Sequence, residues 1–74
     1  MIMEPTKEEQ TAINTLKRLE KRWPNTLWLF ATGHGLHVFR CGKNGEHVMN
    51  ASGVPDMEYE LDYITGIEND GGDF

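Results

Sequence analysis

Leu27-Trp28-Leu29-Phe30-Ala31-Thr32-Gly33-His34-Gly35-Leu36-His37-Val38-Phe39-Arg40-Cys41 decides the fold. Two short runs of β-branched, aliphatic and aromatic residues flank a glycine-bracketed tripeptide, which is the pattern of a β-hairpin. With Thr32 paired to Leu36 across the turn, Leu27, Leu29, Ala31, Phe39 and Cys41 share one face. Trp28, Phe30 and Val38 then share the other, so both faces are apolar.

Toward the N-terminus, Thr6 followed three residues later by Glu9 reads as a capping box that opens a helix. Ala12, Leu16, Leu19 and Trp23 recur at helical spacing with Ile13 beside them, which gives an amphipathic helix of about five turns. Lys17, Arg18, Lys21 and Arg22 crowd its last turns, where cations suit the helix dipole, and Pro24 disfavours helical geometry at Trp23. The helix is expected to end near Arg22.

Toward the C-terminus, Asn44-Gly45 suits a two-residue turn, expected to pair Lys43 with Glu46 and Cys41 with Val48. A third strand is then expected over His47 to Ala51, with Val48 on the face of Cys41 and Met49 on the face of Trp28. After a loop at Ser52 to Asp56, Tyr59, Leu61 and Tyr63 alternate with Glu58, Glu60 and Asp62, as in a strand with one wet face. The expected fold class is α+β, one N-terminal helix packed on a three- to four-stranded antiparallel sheet. Residues 1 to 68 form a single domain in this reading, and 69 to 74 form a flexible tail. One helix covers one side of such a sheet, so the second apolar face awaits the C-terminal segment, another copy of the chain or a foreign partner.

A chain of 74 residues makes one domain, and a domain near this size buries only roughly 60% of the surface its unfolded form exposes. A single cysteine, Cys41, excludes an internal disulfide framework and favours a reducing compartment. Neither a secretory signal nor a membrane-spanning run is evident, so the expected location is cytoplasmic, with no membrane partner. Charge is unevenly distributed. Residues 1 to 43 hold seven Lys and Arg against four Glu, whereas residues 44 to 74 hold eight carboxylates and neither Lys nor Arg. Net charge is therefore +3 in the first part and −8 in the second, which gives the formal −5. Such a split bears on steering and partner choice.

The acidic half either imitates the phosphates of a nucleic acid before a basic groove or, more simply, keeps a strand face solvated and its edge protected. Lys17, Arg18, Lys21 and Arg22, with Arg40 and Lys43, are the candidate nucleic-acid patch, and Trp23 or Trp28 could stack on bases. The acidic balance of the whole makes nucleic acid an unfavoured partner. His37, Cys41 and His47 lack the four-ligand spacing of structural zinc, and Cys41 reads better as a small core residue. Asp70-Gly71-Gly72-Asp73 lacks the bidentate Glu of a calcium loop. Glu58 and Glu60 sit on one wet strand face, where nothing shifts a carboxyl toward acid or base work. No enzyme activity, cofactor or metal is expected.

Leu19-Glu20-Lys21-Arg22-Trp23-Pro24, Leu27-Trp28-Leu29-Phe30 and Gly66-Ile67-Glu68-Asn69-Asp70-Gly71-Gly72-Asp73 carry a resemblance over most of the chain. The chain resembles a group of small uncharacterised proteins encoded by tailed phages and prophages, which share the basic Arg-Trp-Pro helix end, an aliphatic-aromatic first strand and a C-terminal Asn-Asp-Gly-Gly-Asp. The acidic run at Met57 to Asp62 is longer here than in the group. The resemblance implies a phage setting and the host cytoplasm, and it transfers no catalytic or binding residue. Small acidic phage proteins often act by occupying a host protein's surface, including that of defence nucleases such as CRISPR effectors. The expected function is occlusion of a host protein, the candidates being a nuclease or another nucleic-acid-handling complex. Trp28, Phe30, Glu58, Glu60 and Asp62 are the expected contact residues. The alternatives are a homo-oligomeric structural or regulatory accessory, and a weak nucleic-acid binder acting through the basic helix end.

Overall fold

The computed structural model describes residues 3 to 71. Its architecture is α+β, with one N-terminal helix and a three-stranded antiparallel sheet. Helix α1 spans Lys7–Arg22. Its start is the reciprocal cap expected from the sequence: the Glu9 N–H donates to Thr6 Oγ1 at 3.1 Å and the Thr6 N–H to Glu9 Oε1 at 2.8 Å. At the other end Trp23 leaves helical geometry at φ −63°, ψ 120°. Its indole N–H donates to the Leu27 carbonyl at 3.1 Å, which ties the helix end to the first strand. Beyond that tie the helix stands free of cover. No residue of α1 is buried, and Ile13, Leu16 and Leu19 are 38%, 61% and 46% exposed.

Strands β1 (Leu27–Ala31), β2 (Leu36–Arg40) and β3 (Glu60–Ile64) lie in the order β1-β2-β3. The first hairpin forms where the sequence puts it, one register step from expectation. Ala31, not Thr32, opposes Leu36, because Gly33 and His34 make a two-residue turn, with Gly33 at φ +88° and the Thr32 N–H donating to Gly35 O at 3.2 Å. That step moves Phe39 onto the face of Trp28 and Phe30, and Val38 onto that of Leu29.

The second hairpin differs more. The Asn44-Gly45 turn is present, but Asn44, like every other non-glycine among the described residues, lacks positive φ, which excludes the expected two-residue turn. Only Gly45, at φ +80°, takes the left-handed conformation, giving a three-residue loop in which the Gly42 N–H donates to Glu46 O at 2.7 Å. The expected strand at His47 to Ala51 is replaced by irregular chain whose one bridge joins Met49 to Pro55. Freed from that strand, the second edge of β2 pairs with β3.

Residues 47 to 57 instead fold over the aromatic face. Asn50 organises them, its Oδ1 accepting the N–H groups of Ser52 at 2.8 Å and Val54 at 3.3 Å. Below lies Phe39, 1% exposed and the one large apolar side chain fully buried among the described residues. The outer face carries Leu27, Leu29, Ala31, Leu36, Val38 and Ile64, none of them buried.

Asn69, from the segment expected to be a free tail, contacts the first hairpin. Its Oδ1 accepts the Gly33 N–H at 2.6 Å and the Gly71 N–H at 3.0 Å, and its Nδ2 donates to Gly35 O at 3.1 Å. Residues 72 to 74 of that segment lie outside the described residues. Gly35 itself is buried, and a Cβ there would meet the Ile64 carbonyl and stand 2.8 Å from Tyr63 Cε1. Asn69→Ala should lower stability by about 1–3 kcal/mol through the orphaned Gly33 donor, read as a lower urea midpoint at unchanged slope. An unmoved midpoint would show that this clasp contributes nothing.

Candidate functional site

The stretch that joins the covering loop to the sheet edge concentrates the exposed apolar and acidic groups. Asp56 starts it by capping a 3₁₀ turn over Met57–Tyr59, its Oδ1 accepting the Glu58 N–H at 3.0 Å. The turn then runs into β3, an edge strand. From here Met57 is 57% exposed, Tyr59 36%, Leu61 49% and Tyr63 40%, and Glu58 and Asp62 are also exposed.

Alternation fails within this stretch. Phe39 opposes Glu60 whereas Val38 opposes Asp62, so Leu61 is an extra residue in a β-bulge. A bulge changes the parity of side chains along a strand. Glu60 therefore joins the aromatic face and Asp62 the outer face, so Glu58, Glu60 and Asp62 do not share the single wet face that the sequence implies. Glu60 is half-buried and its Oε2 is paired with His37 Nδ1. The other side of the imidazole is occupied by Tyr63, stacked with ring centroids 4.2 Å apart and 18° between planes.

Trp28 and Phe30 lie inside the aromatic cluster and not on an open surface. The Trp28 indole sits between Phe39, at 5.1 Å, and His47, at 4.0 Å and nearly parallel. Its Nε1 is sealed from solvent with no acceptor among the described residues. Phe30 meets Phe39 edge-on at 6.5 Å. Beside them is a pocket of about 190 Å³, walled by Phe30, His37 and Phe39 from the sheet and by Val54, Pro55 and Met57 from the loop. It is small and almost wholly apolar, suited to an aliphatic or aromatic side chain of a partner.

Lys17, Arg18, Lys21 and Arg22 are all exposed on α1. His37, Cys41 and His47 do not come together: His37 belongs to Glu60, His47 to Trp28, and Cys41 is half-buried past the end of β2, its N–H donating to Thr26 O at 2.7 Å. No group of three His, Cys, Asp or Glu among the described residues could hold a metal ion, and no helix among them is long and apolar enough to cross a membrane. Met57, Tyr59 and Leu61 were not expected as surface groups, since strict alternation puts Tyr59 and Leu61 on a dry face. Comparison with protein-family models, curated proteins and solved structures found no match to the chain.

Trp28→Ala should cost about 3–5 kcal/mol, because it removes the ring that links Phe39 to His47. Glu58→Lys and Asp62→Lys, at exposed positions, should stay within about 0.5 kcal/mol of the parent in the same urea titration.

Proposed function

We propose that this protein is a small phage-encoded binding protein that occludes a surface of a host protein in the host cytoplasm, through the edge formed by Met57 to Tyr63. The supporting observation is the composition of that edge. Four large apolar side chains, Met57, Tyr59, Leu61 and Tyr63, are at least 36% exposed there, and Glu58 and Asp62 stand exposed among them. Aromatic and Met side chains ringed by charge are the make-up of a protein interface, in which apolar groups supply affinity and the carboxylates set steering and orientation. The edge of β3 also presents backbone groups to which a partner strand could add.

A surface with this charge suits a partner rimmed by Lys and Arg. Nucleases and other nucleic-acid-handling proteins carry such rims, which is why inhibition of a defence nuclease is the reading we favour for the phage setting. Trp28 and Phe30 serve it from beneath, as the base on which the pocket and the edge are built.

Affinity capture from host lysate on immobilised protein tests the proposal. Wild-type chain should retain a discrete host protein with basic surface, with retention falling as salt rises. Met57→Ala with Glu58→Lys should weaken that retention at least tenfold while thermal unfolding is unchanged. Equal retention by the variant removes this edge from consideration.

A further inference from the structure

We propose that two copies of the chain form a symmetric homodimer in which α1 of each copy covers the outer sheet face of the other. The inference is independent of the host-surface reading, since it uses the opposite side of the sheet. It starts from two apolar surfaces left open on one molecule: the helix stripe of Ile13, Leu16 and Leu19, and the sheet face of Leu29, Val38 and Ile64. Leu29 and Ile64 on that face are 43% and 40% exposed.

Area argues for a partner of this kind. A compact monomer of 8.5 kDa exposes about 4,700 Å² by the scaling of surface with mass, whereas this chain exposes 6463 Å². Its radius of gyration, 14.9 Å, likewise exceeds the roughly 11 Å of a compact chain of 74 residues. Hiding half of the excess on each of two copies buries about 1,800 Å² in total, the size of a stable specific interface.

The chain's own helix is poorly placed to supply the cover. Only Trp23 to Thr26 separate α1 from β1, and they are engaged: the Trp23 indole N–H holds Leu27 O and the Leu27 N–H donates to Pro24 O at 3.3 Å. Those two bonds hold the direction in which α1 leaves β1. A short, engaged hinge between a helix and the surface that the helix fits favours exchange between copies. On the outer face Arg40 and Asp62 balance in charge, so apolar area and not charge carries the pairing. A two-fold arrangement makes each contact twice.

Sedimentation equilibrium of the full chain tests this. The expected mass is twice the 8.5 kDa of one chain. Leu16→Glu and Leu29→Glu, at exposed positions on the two proposed partner surfaces, should each return the single-chain mass with the far-ultraviolet circular dichroism of a folded protein. In a Cys41→Ser background, Leu16→Cys chains mixed with Leu29→Cys chains should join by a disulfide on mild oxidation, far more than either chain with itself. The proposal is overturned by a single-chain mass at the highest soluble concentration, or by a dimer indifferent to both glutamates. Leu16→Cys chains that link chiefly to each other would overturn it too, in favour of helix pairing. A Leu16→Cys, Leu29→Cys double variant that closes within one chain would overturn it in favour of self-cover.

Discussion

The stack of Phe39, Trp28 and His47 is the contact on which the rest of the molecule depends. Phe39 lies in β2, the middle strand, so one ring is reached by both neighbouring strands and by the covering loop. A domain of this size gathers little core, and here the fully buried apolar volume of the described residues is concentrated in that single phenyl group. Everything that positions the candidate interface, from the loop over residues 47 to 57 to the edge of β3, is anchored by rings that touch it directly or through one intermediary.

This concentration divides the sheet into two unlike sides. The inner side is closed by a loop whose hydrogen bonds are mostly local, centred on the Asn50 side chain. The outer side has aliphatic residues of the same oiliness and no comparable cover among the described residues. Closing one side with irregular chain instead of a helix frees the helix from structural duty. It leaves α1 as an outlying element with its own apolar stripe, which is an arrangement for meeting other molecules.

Local chemistry was legible in the sequence and long-range pairing was not. The capping box of Thr6 and Glu9, the stop at Trp23-Pro24 and the hairpin around Gly33 rest on neighbours within a few residues, and each appears where the residues imply. The Asn44-Gly45 pair marks the place of a turn but not its kind, because both the two-residue and three-residue loops use glycine at Gly45 and differ in whether Asn44 adopts positive φ. That difference of one residue decides whether His47 to Ala51 stays in register with β2. The pairing of β2 with β3 across the loop, and the bulge at Leu61 that sends Glu60 to His37, depend on contacts between residues more than 20 apart, which no local pattern encodes. The acidic surface was therefore visible as composition, while the division of its carboxylates between two faces was not. Trp28 and Phe30 looked like open surface for a similar reason, since the loop that shields them is distant in sequence.

Asn69 gives the molecule a temporal order. The turn at Gly33 emerges from the ribosome well before the side chain that accepts its amide, 36 residues later. Until Asn69 has been made, water stands in for the native partner of that donor. A chain cut short before Asn69 would therefore display the turn without its clasp.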